Sequence, residues 1–334
     1  MRGAYEQSKI LLARRDIQRV IEDPQVSSEN RDKLRLVLEA RAYAQRIGLE
    51  PKGSFTTYSE VSRDPLAWVV VASRRDAFAL HTWWFPIVGT VPYKGFFDKE
   101  DAEAEVAELQ KYGYETSMRG TEAFSTLGWF DDPVISTTLK NSQTRIANTV
   151  IHESVHSTVW IKGSVPFNES LANFVGSQGA LSFFTERLEA CRVTGEKCEL
   201  EQQQLAASKR EHSFQFELAE IVDTLYDRLD RLYKDSALSS EDKIARRVPL
   251  FEEVMTPFRK RYPTVTILKE VNNADIIQLK LYLSQLWLFN ELFVQRDRRW
   301  DYFMAVIREV QSSVNEEPGK DPFIVLKEIV GTLS

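Results

Sequence analysis

The chain has 334 residues, 43% of them hydrophobic and 28% charged, with a net charge of −6. Those proportions are ordinary for a globular protein and leave ample apolar material for a core. They exclude a low-complexity chain, and the acidic balance without a Lys/Arg block argues against nucleic acid as the main partner. No apolar run approaches the roughly 20 residues of a membrane-spanning helix.

In chain order, residues 5–22 and 28–47 read as two amphipathic helices separated by Asp23-Pro24, a hairpin with no chemistry of its own. From Ser54 the pattern turns to strands: Tyr58 to Val61, Trp68 to Ala72 and Phe78 to Leu80. The aromatic, Pro- and Gly-bearing stretch Trp83 to Phe97 reads as strands or an ordered loop, and can wall a specificity pocket or simply pack. Asp98 to Tyr112 is predicted as an amphipathic helix with acids in its first turn. Glu115 to Thr126 and Val134 to Leu139 follow as strands.

A helix from about Asn141 to Lys162 carries His152-Glu153-Ser154-Val155-His156, and the chain has only 4 histidines in all. Residues four apart share a helix face, so both imidazoles can aim at one cation while Glu153 stands beside it to handle a water. Between Arg145 and Lys162 these three are the only ionisable groups. Burying them unpaired would cost several kcal/mol, which coordination to a Zn²⁺ ion would remove.

Gly163 to Pro166 ends this helix, and another is expected to start near Asn168, with Asn168 as its N-cap. Glu169 is the expected third metal ligand, in the manner of thermolysin-like sites. The alternative is a first-turn Glu favoured only by the helix dipole. Asn173, four residues on, can accept the Nδ1–H of a liganding histidine. Cys191 and Cys198 flank six residues and read equally well as a disulfide or as two thiols. Glu199 to Tyr233 and the helix after Ser239 should make an antiparallel hairpin, and Ala274 to Phe293 and Trp300 to Val314 are also helical.

The chemistry expected of this set is hydrolysis of a peptide bond, with Glu153 as general base. An oxyanion stabiliser is expected among His212, Tyr282 and Tyr302, with Tyr282 preferred. The strand through Thr121, Ala123, Phe124 and Ser125 can serve as an edge to which a peptide substrate adds, or it can be a core strand. Glu122, Asp131 and Asp132 are the acids available to hold an α-ammonium group, though turn or surface roles explain each.

Taken together, Phe85 to Gly89, Tyr93 to Phe97, Ala123 to Pro133, His152 to His156, Phe167-Asn168-Glu169-Ser170, Phe174-Val175 and Asn272-Asn273-Ala274 resemble a bacterial family of predicted zinc aminopeptidases. The resemblance implies zinc at His152, His156 and Glu169, with Glu153 as base. It also implies a lipoprotein precursor tethered to the membrane in the cell envelope or periplasm, although Met1 to Glu6 carries no apolar export segment. Members of that family carry an acid after the Phe-Val pair, where this chain has Gly176. The expected fold is α+β and mainly α-helical, zincin-like, with a small sheet packed on the HExxH helix and a helical C-terminal part. The expected regions are a helical hairpin at 1–50, a catalytic region at 51–190 and a helical region at 191–334. A non-catalytic envelope protein that binds partners through its helical hairpin is the alternative function.

Overall fold

The computed structural model describes residues 13–62, 65–86, 89–121, 131–195, 197–265, 270–317 and 319–331. The chain is α+β and mainly helical. In order it runs β1 (Arg15–Asp16), α1 (Ile17–Glu22), α2 (Ser28–Arg46), β2 (Thr57–Ser59), β3 (Ala67–Ser73), β4 (Trp83–Phe85), β5 (Gly89–Val91), β6 (Lys94–Phe96), α3 (Lys99–Lys111), β7 (Glu115–Thr121) and β8 (Val134–Ile135). It continues with α4 (Gln143–Thr158), α5 (Val165–Thr194), α6 (Glu199–Lys234), α7 (Ser240–Arg261), α8 (Asn273–Leu283), α9 (Leu286–Gln295), α10 (Trp300–Glu316) and α11 (Pro322–Gly331).

These elements fall into two compact units. The first comprises Met1–Ser62, Ala123–Phe216 and Ser284–Ser334, the second Arg63–Glu122 and Glu217–Leu283. The regions 51–190 and 191–334 are therefore each shared between units, and α6 runs from one into the other.

The first unit is organised around α4 and α5. Ile146, Ala147, Val150, Ile151 and Val155 of α4 are buried, as are Phe167, Leu171, Phe174 and Val175 of α5. Phe174 meets Phe303 of α10 at 5.5 Å and Phe293 of α9 at 6.1 Å, while Phe167 meets Phe323 of α11 at 5.1 Å. Such tilted and edge-on rings pack at distances favourable for their quadrupoles. Beside them β2 pairs antiparallel with β1 and parallel with β8. Cys191 and Cys198 are joined in a disulfide across the turn between α5 and α6.

In the second unit, β3 is the central strand of the antiparallel order β6-β3-β7. Val70 and Ala72 of β3 and Ala102 and Leu109 of α3 form a buried cluster, with Trp68, Phe96 and Met118 packed on it. The pairs Arg228–Glu253 (2.7 Å) and Glu217–Arg261 (3.0 Å) run in opposite sequence directions, so α6 and α7 lie antiparallel as expected. A polar network ties α7, α8 and β7 together. Arg247 donates to both carboxylate oxygens of Glu115 and, at 2.7 Å, to the Arg75 carbonyl. Asn273 donates from its backbone to Glu115 at 3.0 Å and from its amide to the Arg74 carbonyl at 2.9 Å, and accepts from the Tyr233 hydroxyl at 2.9 Å. Asn272 caps α8 by accepting from the Ala274 N–H at 2.8 Å and donates to the Thr116 carbonyl at 3.0 Å.

Several expectations are corrected. Phe78 to Leu80 makes only an isolated bridge, Ser73 to Leu80, because the chain turns back too soon to lengthen it. The strand at Val134 gives way after two residues to a 3₁₀ turn at Thr138–Lys140. The helix expected over Ala274 to Phe293 breaks at Gln285, whose φ of 52° is left-handed. The α11 helix, Pro322–Gly331, is a further element beyond those expected. Of the sheets, β6-β3-β7 belongs to the second unit, and β1-β2-β8 shares the first unit with α4.

Candidate metal centre

Helix α4 starts at an N-cap, Ser142, which accepts from the Arg145 N–H at 3.2 Å. Its far end is held by segment 48–50: Ser157 Oγ donates to the Glu50 carbonyl at 2.8 Å, and Thr158 Oγ1 accepts from the Glu50 N–H at 2.8 Å. The helix therefore stops at Thr158 rather than Lys162. The chain then reverses through Gly163, at φ 82°, a conformation that suits glycine.

Asn168 controls this reversal. Its Oδ1 accepts from the Ile161 N–H at 2.9 Å and its Nδ2 donates to the Ile161 carbonyl at 2.8 Å. The N-cap role expected for Asn168 is thus corrected. The helix begins three residues earlier, at Val165, because Pro166 with its preset φ fits the first turn. Glu169 consequently lies in the second turn, and the first turn holds no acid, so a helix-dipole explanation for Glu169 falls away.

The reversal brings three donor groups together. His152 Nε2 and His156 Nε2 are 3.2 Å apart, and each is 3.6 Å from a different carboxylate oxygen of Glu169. A tetrahedral cation with bonds of about 2.0–2.1 Å sets its ligand atoms about 3.3–3.4 Å apart. The nitrogen–nitrogen distance is close to that spacing, and the two nitrogen–oxygen distances, which end on different oxygens of Glu169, are slightly longer. The His156 side chain is 3% exposed, those of His152 and Glu169 14% and 12%, so access to the triangle remains on the latter side. Among the described residues, one other group of metal-ligating type comes together, Cys191, Cys198 and Glu201, and there the sulfurs are bonded to each other.

The two imidazoles and the carboxylate shift one another's ionisation. Burial alone would raise the Glu169 carboxyl, but His152 and His156 opposite it outweigh burial and bring it down to about 2. Burial also disfavours the charged form of His152, yet the carboxylates of Glu169 and Glu153 win and raise its pKa. With metal removed by a chelator, two limbs of stability loss are expected. As pH falls from about 4.5 toward 2, protonation of Glu169 removes on the order of 3 kcal/mol. As pH rises past 6.5 and through the raised pKa of His152, its contribution is lost as well. Urea denaturation of the chelated protein across pH reads both limbs. If Glu169→Gln keeps the acid limb unchanged, other carboxylates carry it.

The remaining expected site residues are placed as follows. Glu153 is half-buried on α4 and close enough for its charge to act on His152. Asn173 is half-buried one turn after Glu169, and its backbone carbonyl accepts from Gln215 at 3.4 Å. His156 Nδ1 has no hydrogen-bond partner among the described residues, so the Asn173 amide does not hold that ring. The ring is met instead by Trp160, 5.6 Å away and edge-on. Tyr282 belongs to the second unit, where Arg119 donates to its hydroxyl at 3.1 Å. His212 is bonded to Ser177 at 2.9 Å, and Tyr302 lies under the Arg299 guanidinium. Thr121 is the last residue of β7, while Glu122, Ala123, Phe124 and Ser125 lie outside the described residues. Asp131 is a loop anchor, accepting from the Gly53 N–H at 2.9 Å, and the Asp132 backbone is bonded to Ser54 and Phe55. That favours the turn role for both acids over capture of an α-ammonium group.

Three residues packed at or near the centre, Trp160, Gly176 and Gly179, carry no chemical signature in the sequence. Trp160 carries no signal beyond being aromatic near the motif. Gly176 and Gly179, set inside a long helix against helix propensity, are a signal of close packing.

Comparison with curated proteins and with solved structures finds no match to either. A family model described as "Putative aminopeptidase" matches residues 1–320.

Proposed function

Since the chain belongs to that aminopeptidase family, we propose that it is a zinc-dependent metallopeptidase of zincin type, ligated by His152, His156 and Glu169. The convergence of two imidazole nitrogens, 3.2 Å apart, on a carboxylate with an oxygen 3.6 Å from each carries this reading. Bound there, Zn²⁺ would supply Lewis-acid polarisation of a substrate carbonyl and would make water more acidic.

The chain's own residues supply the rest. Glu153, one residue from the first ligand, is the general base that takes the proton of the attacking water. It then delivers that proton to the leaving amine nitrogen. Glu169 keeps its carboxylate ionised and so offers negative charge to the cation at every physiological pH. Asn168 holds the reversal that returns Glu169 to the histidines. The Cys191–Cys198 disulfide supports an oxidising location such as the periplasm, in keeping with a lipid-tethered envelope enzyme.

The test is zinc content and cleavage. Wild type should purify with or take up one Zn²⁺ and cleave peptides. Glu169→Ala should weaken zinc by more than the roughly 10–100-fold typical of losing an orienting partner, because a ligand itself is gone. Equal cleavage of peptides with free and acetylated N-termini would overturn the aminopeptidase mode, and bound zinc without any cleavage would overturn the enzyme.

A further inference from the structure

A liganding imidazole hangs from a soft torsion. Its ring turns about the Cβ–Cγ bond with only a broad preference, and turning swings Nε2 away from the ion it is meant to hold. In most such sites a hydrogen bond from the other ring nitrogen to a carboxylate, a carbonyl or water sets the ring. His156 departs from that arrangement, because its Nδ1 is buried and has no hydrogen-bond partner among the described residues. It is flanked by rings instead. Trp160 stands edge-on to it at 5.6 Å and 72°, and His152 edge-on at 5.0 Å and 81°. Both separations lie in the range favourable for edge-to-face pairs.

Trp160 is itself held from both sides in the chain. The backbone leaves α4 at Val159 in an extended conformation, and the Val159 N–H donates to the Val155 carbonyl at 2.8 Å. The Trp160 carbonyl accepts from Gln311 Nε2 of α10 at 3.0 Å. Ile161, fully buried, has both backbone groups bonded to Asn168. The reversal that returns Glu169 to the histidines therefore also fixes the backbone that carries the indole.

We propose that Trp160 is a positioning residue for the metal centre: its indole, packed edge-on against His156, sets the plane of that imidazole in place of a hydrogen bond to Nδ1. This rests on the metal-site reading above. His152 does not serve the purpose alone, since it is a ligand whose own ring has to be placed. Without the indole, the His156 ring must be ordered by the cation itself, and the cost appears as weaker binding.

The experiment titrates chelator-stripped wild type and four variants with Zn²⁺ against a competing chelator. Co²⁺ titrations follow, since its visible absorption reports ligand geometry, and circular dichroism checks the fold. Trp160→Ala should bind Zn²⁺ roughly 10–100-fold more weakly, the range for groups that orient a ligand, and should show a shifted Co²⁺ spectrum. Trp160→Phe keeps a flat ring and should recover most of the affinity and the wild-type spectrum. Trp160→Leu keeps apolar bulk without a ring and should stay weak. Trp300→Ala removes the same side chain from a packing role in the same unit, where it meets Phe293 at 4.5 Å and Phe303 at 5.7 Å, and should match wild type in both readouts. Wild-type affinity and spectrum in Trp160→Ala, or an equal loss in Trp300→Ala, would overturn the proposal. Should Trp160→Ala not fold, the other two Trp160 variants decide, and Phe binding no better than Leu would overturn it. A wild type that takes up no Zn²⁺ overturns the metal site itself, whereas a zinc-binding wild type with an indifferent Trp160→Ala overturns only the positioning role.

Discussion

Glu153→Gln is expected to keep Zn²⁺ at wild-type affinity and to lose peptide hydrolysis by about 10²–10⁴-fold, the usual worth of a positioned acid–base group. The separation follows from where Glu153 sits. It is the neighbour of His152 on α4 and is not one of the three groups that converge on the triangle. Its half-buried side chain acts on the ligand only through charge, so the neutral, nearly isosteric Gln leaves helix and triangle standing. The amide cannot accept the proton of an attacking water, and the loss should appear in kcat more than in KM. Zinc content measured beside cleavage of a peptide library decides the matter. Hydrolysis undiminished in Glu153→Gln would remove Glu153 from the chemistry, and loss of zinc together with activity would make it part of the binding set instead.

Arg247→Ala is expected to destabilise the second unit by about 3–5 kcal/mol, the cost of stranding one partner of a buried ion pair. Arg247 is 6% exposed, and its guanidinium spans both oxygens of Glu115 and the Arg75 carbonyl. Without it, Glu115 keeps only the Asn273 N–H and a long ion pair with the more exposed Arg75 at 3.9 Å, and stays largely out of water with its charge poorly balanced. Arg247→Lys should restore only part of the loss, since an ammonium is a point charge and cannot reproduce the fork. Arg247→Met with Glu115→Gln should be milder than Arg247→Ala, because no charge is then left unpaired. Urea midpoints of the three variants, with amide exchange in α7, α8 and β7, test the order. Arg247→Ala within about 1 kcal/mol of wild type, as for an exposed pair, would show that the network carries little of the stability.

The resemblance stretch Asn272-Asn273-Ala274 finds its physical explanation in that same network. Asn272 caps α8, and Asn273, fully buried, bonds at once to β7, α6 and the turn after β3. Such a role leaves no periodic trace in sequence, because its partners lie up to 199 residues away. By contrast, the antiparallel pairing of α6 and α7 was legible from apolar spacing and the Ser239 cap, which are local properties.

At the metal centre, sequence alone determined that His152, Glu153 and His156 share a helix face, since four-residue spacing and an otherwise uncharged stretch are local properties of the helix. Its proximity also nominated Glu169. The tertiary structure decided what depends on groups far apart in the chain or on the path of a turn. It put Glu169 opposite both imidazoles through the Asn168–Ile161 bonds and moved the start of α5 to Val165. It also tied Asp131 to Gly53, divided the chain into two units each built from separate segments, and set Gly176 against the turn that bears His152. Local periodicity specifies which face a side chain occupies, whereas the depth at which two faces meet is set by the side chains on both.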